Sequence, residues 1–178
     1  MMRILERRSA VIVTTALLTA TGIAAPAAAV SAPAKDAIAL RPTDVNINKN
    51  VTFGGGVPVG GWYSLTVFPT GSYNYSGHMH DSGAPSYNLA GVCVVRFKNG
   101  TAFVFQTAGR MHGTFESGSR DYNWNTSGSR RAIADAWRAS RGSWKASCNS
   151  KVNADLHGMV NSAMQAVGYA STVIGIVA

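Results

Sequence analysis

Apolar and polar side chains alternate at every second residue in the stretch Ser72-Tyr73-Asn74-Tyr75-Ser76-Gly77-His78-Met79-His80. In an extended chain the two tyrosines and the methionine face one side, and the serines, the asparagine and the histidines face the other. A period of two is typical of a β-strand with one face on a core and the other in solvent. The stretch therefore predicts an antiparallel sheet with a polar outer surface.

Further segments with aromatic and β-branched residues flank this strand and are separated by short turns. Short connections of this kind pair successive strands antiparallel as hairpins. We expect an antiparallel β-meander that forms a small barrel or a sandwich. The predicted strands are residues 62–68, 72–80, 86–97, 101–106 and 109–115, with 144–151 as a sixth.

Two peripheral helices complete the predicted fold, whose class is mainly β with an α+β character. The first helix is expected to follow Ser127 or Ser129 as its N-cap and to stop at Gly142. The second starts at Leu156 and repeats apolar residues at helical spacing as far as Val177, so it is C-terminal and amphipathic. Its apolar stripe is expected to dock on the domain, and membrane contact through this helix is the alternative.

The N-terminus has the pattern of an export signal. Arg3, Arg7 and Arg8 precede residues 10–29, which carry no charge and end in alanines. This arrangement predicts that residues 1–29 are a signal peptide, cleaved after export by the general or the twin-arginine route. We therefore expect a secreted, extracellular protein.

The remaining chain has the length of one domain. Residues 30–50 mix Ala, Pro, Asp and Asn without apolar periodicity, which predicts a flexible linker or arm. Residues 51–178 are then a single β-rich domain that contains the C-terminal helix.

The chain contains two cysteines, Cys93 and Cys148, and both lie in the part that is predicted to be exported. An oxidising compartment allows a disulfide to persist, so we expect these cysteines to form one. A paired cysteine is not available as a catalytic thiol.

The formal net charge of the chain is +8. A basic protein outside the cell is attracted to anionic surfaces, and an anionic cell-wall polymer is the expected partner. Nucleic acid is not expected for an exported protein, and we expect a monomer.

Three histidines raise a metal hypothesis. His78 and His80 share one face of a predicted strand, and the motif Gly77-His78-Met79-His80 resembles Gly109-Arg110-Met111-His112. If the two strands are equivalent, His112 faces the other two, and three imidazoles suit zinc. The alternative is that they belong to the polar outer face of the sheet, which needs hydrophilic residues of any kind.

A second candidate site lies in residues 117–125, where aromatic and polar residues alternate in a predicted loop. Tyr122 and Trp124 offer flat rings for a sugar or another apolar surface, while Arg120, Asp121 and Asn123 offer hydrogen bonds. Arg110 is a further predicted ligand residue. The alternative is that Trp124 anchors the loop on the sheet.

Motifs of nucleophilic hydrolases are missing, because the sequence has neither Gly-x-Ser-x-Gly nor Ser-x-x-Lys. An enzyme is therefore not the favoured interpretation, and no cofactor is expected. The leading hypothesis is an extracellular binding or structural module. The alternatives are a small metal-dependent hydrolase that uses His78, His80 and His112, and a secreted membrane-active or toxin-like protein.

Overall fold

The computed structural model describes residues 44–178, so the predicted signal peptide and residues 30–43 of the predicted linker lie outside the described part. Within it, strands dominate and two helices interrupt them. The elements are β1 (Val45–Thr52), β2 (Val59–Val67), β3 (Ser72–Asp81), β4 (Tyr87–Phe97), β5 (Thr101–Met111), β6 (Asp121–Ser129), α1 (Arg131–Ala139), β7 (Trp144–Val152), α2 (Leu156–Val167) and β8 (Thr172–Val177).

The strands form two four-stranded sheets. The front sheet has the order β1-β2-β3-β6, and the back sheet has the order β7-β4-β5-β8. All neighbouring strands are antiparallel except β5 and β8, which are parallel. The sheets pack on one another as a sandwich and do not close into a barrel. The predicted mainly β class and the sandwich form of it are confirmed.

Aromatic side chains fill the space between the sheets. Tyr73 and Tyr75 of the front sheet contact Phe105 of the back sheet, with ring centroids 5.4 and 6.2 Å apart. Phe97 packs edge-on against Phe103 at 5.9 Å. Full burial of such a side chain contributes roughly 1.5–3 kcal/mol, so this layer stabilises the packing of the two sheets.

Helix α2 covers the outer surface of the back sheet. Its residues Met159, Ala163 and Val167 are buried in one cluster with Val92 and Val94 of β4. The apolar stripe of the predicted C-terminal helix therefore docks on the domain. Since β4 is covered on both faces, its sequence is a continuous apolar run and does not alternate.

The predicted C-terminal helix is too long. Helix α2 ends at Val167, where Gly168 adopts φ 91°, a left-handed conformation that favours glycine at a helix end. The residues beyond it form β8, which pairs with β5. The β-branched residues of Thr172–Val177 suit a strand, and their spacing only imitates the helical pattern.

The predicted hairpins β2–β3 and β4–β5 are confirmed, but the meander does not continue from β3 to β4, and some predicted limits are wrong. Strand β3 pairs with β6, and β4 pairs with β7, so the chain crosses between the sheets after β3, after β5 and again after β6. The predicted strands 101–106 and 109–115 form the single strand β5, which ends at Met111. Part of the predicted linker is strand β1, whose alternation is concealed by its many asparagines.

Helix α1 closes one end of the sandwich. It begins at Arg131 after Arg130 as N-cap, while the predicted caps Ser127 and Ser129 belong to β6. Its buried residue Trp137 contacts Phe97 of the back sheet with ring centroids 5.5 Å apart. The predicted stop at Gly142 is close to the end of the helix at Ala139.

The predicted disulfide is present. Cys93 of β4 lies directly opposite Cys148 of β7, and the bond closes a loop with a sequence separation of 55 residues. Such a bond indicates an oxidising, non-cytoplasmic environment.

Replacing both cysteines with alanine is expected to lower the free energy of unfolding by about 4 kcal/mol, because the unfolded chain loses its largest constraint. Urea denaturation measures this loss, and reduction of the wild-type protein should reproduce most of it. A loss below about 1 kcal/mol in both experiments would show that the β4–β7 hydrogen bonds hold this strand pair without the disulfide.

Candidate binding face

The outer surface of the front sheet, here called the polar face, is built by alternation. In β2 the residues Tyr63, Leu65 and Val67 are buried. The residues that alternate with them, among them Trp62 and Ser64, point outward. The same alternation holds in β3 and β6, and in β1 except at Lys49, which is exposed together with its two neighbours. The outward positions are Asn46, Asn48, Asn50, Thr52, Gly60, Trp62, Ser64, Thr66, Ser72, Asn74, Ser76, His78, His80, Asp121, Asn123, Asn125, Ser127 and Ser129.

The strand register arranges these side chains in rows across the sheet. Side chains directly opposite one another on neighbouring strands have Cβ atoms about 4.5–5.5 Å apart, so a row is a continuous line of polar groups. The two central rows consist of Asn50, Trp62, His78 and Asn123, and of Asn48, Ser64, Ser76 and Asn125.

Trp62 is the large aromatic side chain of this face. Its side chain is 43% exposed. It borders a shallow cleft of about 510 Å³ that is also lined by Asn48, Lys49, Asn50 and Ser76. An exposed indole beside amides and hydroxyls offers both a flat apolar surface and hydrogen-bonding groups.

Hydrogen bonds between β3 and β6 hold polar side chains of the face in place. Asn74 Nδ2 donates to Asn125 Oδ1 at 2.9 Å. His78 Nδ1 lies 2.7 Å from Asn123 Oδ1 in the same kind of cross-strand pair. Side chains fixed before binding lose less conformational entropy when a ligand arrives.

The structure places the predicted metal residues in two groups. His78 and His80 lie on the polar face, and Asp121 lies between them, with Oδ1 3.6 Å from His78 Nε2 and 2.8 Å from His80 Nδ1. His112 follows β5 of the back sheet, and its Nδ1 lies 3.2 Å from Glu116 Oε2. Among residues 44–178, no three His, Cys, Asp or Glu side chains are arranged to hold a metal ion.

Glu116 is the centre of that second group. Arg110 Nη2 donates to its Oε2 at 2.8 Å. The hydrogen bond from Arg110, with further ones from Ser86 and His112, lowers the pKa of Glu116 to about 2. The predicted ligand residue Arg110 is therefore engaged in this ion pair, away from the polar face.

The other predicted ligand residues belong to a strand. The predicted loop includes the start of β6, and the alternation of aromatic and polar residues reflects the pleat. Asp121 points outward. Tyr122 donates its hydroxyl to the carbonyl of Ala108 at 2.9 Å, and Trp124 is only 6% exposed. The structure thus places Trp124 in the core, in agreement with an anchoring role.

Trp62 has no role in the predictions from sequence, although its neighbours carry a signal. The run Trp62-Tyr63-Ser64-Leu65-Thr66-Val67 alternates, and the indole shares its side of the strand with a serine and a threonine. An aromatic residue on the polar side of a strand indicates a binding surface more directly than one on the apolar side.

No family model, curated protein or solved structure matches this chain. Within the described range, no helix is both long enough and apolar enough to span a membrane.

Replacing Gly77 with alanine tests the buried position of Trp124. A Cβ atom at residue 77 would lie 2.2 Å from the Trp124 ring, so the indole must move or the sheet must deform. We expect a loss of about 1–3 kcal/mol in the free energy of unfolding, measured by urea denaturation.

The matched control is Gly175→Ala in β8, where an added Cβ meets no atom within 4 Å. Its stability is expected to stay within about 0.5 kcal/mol of wild type. Equal stabilities of the two variants would show that the indole does not pack over Gly77.

Proposed function

We propose that this protein is an extracellular binding module that holds a neutral polysaccharide on the polar face of the front sheet. The observation that carries the proposal is the exposed indole of Trp62 within rows of asparagine, serine and threonine side chains. The ring is available to stack on the C–H face of a sugar. The amides and hydroxyls are available to its hydroxyl groups.

The charge of the face supports a neutral ligand. Its outward positions carry one acidic residue, Asp121, and no lysine or arginine; among residues 44–178, Lys49 of β1 is the one basic side chain that lines the cleft beside Trp62. A surface whose only requirement is solubility usually carries many charged side chains of both signs. Amides and hydroxyls in their place favour recognition of an uncharged, hydroxyl-rich molecule.

The shape of the face supports an extended ligand. A four-stranded sheet presents a broad surface, and the cleft beside Trp62 is shallow. A chain of sugar rings lying across several strands would contact more than one row of polar side chains. Extracellular action is supported by the export pattern at the N-terminus and by the oxidised cysteines.

Replacing Trp62 with alanine is expected to weaken retention on particles of cellulose or chitin at least about tenfold, because a central aromatic anchor dominates such contacts. The measurement is the bound fraction after sedimentation, in buffer and in 1 M NaCl. Retention by wild type should persist in high salt, since the face carries few charges.

Phe115→Ala is the matched control, because this ring is 87% exposed and lies outside the polar face. It should bind like wild type. Absence of wild-type binding to both polymers, or equal losses in the two variants, would contradict the proposal. Binding that disappears in 1 M NaCl would indicate adsorption through basic residues instead.

A further inference from the structure

One end of the sandwich, here called the α1 end, brings together segments from both sheets. The front-sheet turn at residues 68–71 joins α1 through Arg130 N, which donates to Gly71 O at 3.0 Å. The back-sheet turn at residues 98–100 joins it through Asn99 N, which donates to Ser140 Oγ at 3.0 Å. The loop between α2 and β8 joins the same turn, where Ser171 N donates to Gly100 O at 2.9 Å.

The basic charge of the described residues is concentrated at this end. Seven of their eleven lysines and arginines lie here, against two of their six acidic residues, Asp44 and Asp135. Elsewhere in residues 44–178, basic and acidic residues are equal in number. The seven are Arg96, Lys98, Arg130, Arg131, Arg138, Arg141 and Lys145.

Two of these cations line a cleft of about 430 Å³. Lys98 and Arg141 border it together with Asn99, Ser140 and Ser143. Within residues 44–178, both cations are exposed and neither forms an ion pair. Because they are exposed and unpaired, both cations are available to an anionic partner. Arg141 also adopts φ 52°, a left-handed conformation that is unfavourable for a residue other than glycine.

Exposed apolar side chains lie at the same end. Phe68 is exposed beside the front-sheet turn, and Tyr169, in the loop after α2, is 84% exposed. Arg96 Nε donates a hydrogen bond to the backbone carbonyl of Tyr169. Tyr169 therefore lies next to one of the basic residues of this end. Val173 is exposed at the start of β8.

We propose that the α1 end docks on the surface of an anionic phospholipid bilayer. Lysine and arginine bind phosphate headgroups, and aromatic side chains occupy the boundary between headgroups and acyl chains. A soluble polyanion would be bound by the cations alone, and the exposed Phe68 and Tyr169 would add nothing to its binding. Their presence beside the cations favours a lipid surface. This inference is independent of the polar face.

Co-sedimentation of the oxidised protein with vesicles tests the inference. Wild type should bind vesicles of phosphatidylcholine with 30% phosphatidylglycerol and should not bind pure phosphatidylcholine. The double variant Lys98→Gln, Arg141→Gln is expected to bind about 30-fold more weakly. The double variant Phe68→Ser, Tyr169→Ser should lose about tenfold.

The control is Lys49→Gln, Lys151→Gln, which removes the same net charge from other parts of the surface and should bind within about twofold of wild type. Thermal unfolding monitored by circular dichroism verifies that each variant is folded. Trp62→Ala should bind vesicles like wild type, which separates this inference from the proposed polysaccharide binding.

Three results would overturn the inference. The first is a wild-type protein that does not bind the anionic vesicles. The second is an equal loss in both charge variants, which would indicate a general effect of net charge. The third is unchanged vesicle binding by Phe68→Ser, Tyr169→Ser together with complete competition by inorganic polyphosphate, which would indicate a site for soluble polyanions.

Discussion

The contact of Tyr73 and Tyr75 with Phe105 determines which side of the front sheet faces the core. Side chains alternate along a strand, so burying these tyrosines forces their neighbours outward. A shift of β3 by one residue would bury His78 and His80 and expose both rings, and the loss of apolar burial excludes that register. The polar face is therefore a consequence of the core, and its rows follow from the pairing of β3 with β2 and β6.

Local pattern predicts the fold class and the positions of β2, β3, β4 and β7, because strong alternation or apolar runs mark them. Local pattern does not predict β1, because its many asparagines are typical of a linker. It also does not predict β8, because the apolar residues of β8 continue the helical spacing of α2. Pairing between strands distant in sequence leaves little local trace. The cysteines are the exception, because two cysteines in a chain with a predicted export signal predict a disulfide, and that bond joins β4 to β7.

The polar character of the front sheet is predictable, but its most prominent side chain is not. Trp62 and Trp124 belong to two strands of the same sheet, and these strands have similar compositions. Which indole is exposed depends on which set of alternating residues in each strand faces the core. The turn residues before β6 favour a loop there, and a loop would place Trp124 at the surface. The proximity of Asp121 to His78 and His80 likewise depends on the β3–β6 pairing.

The fold separates two surfaces of different chemistry: a neutral, amide-rich sheet and a basic end with exposed aromatic rings. Backbone amide chemical shifts, titrated with cellohexaose and with chitohexaose, test most directly whether the sheet is the binding surface. We predict shifts that centre on Trp62 and spread along β2, β3 and β6. Shifts confined to the back sheet or to the α1 end, or no shifts with either oligosaccharide, would contradict the assignment of the polar face.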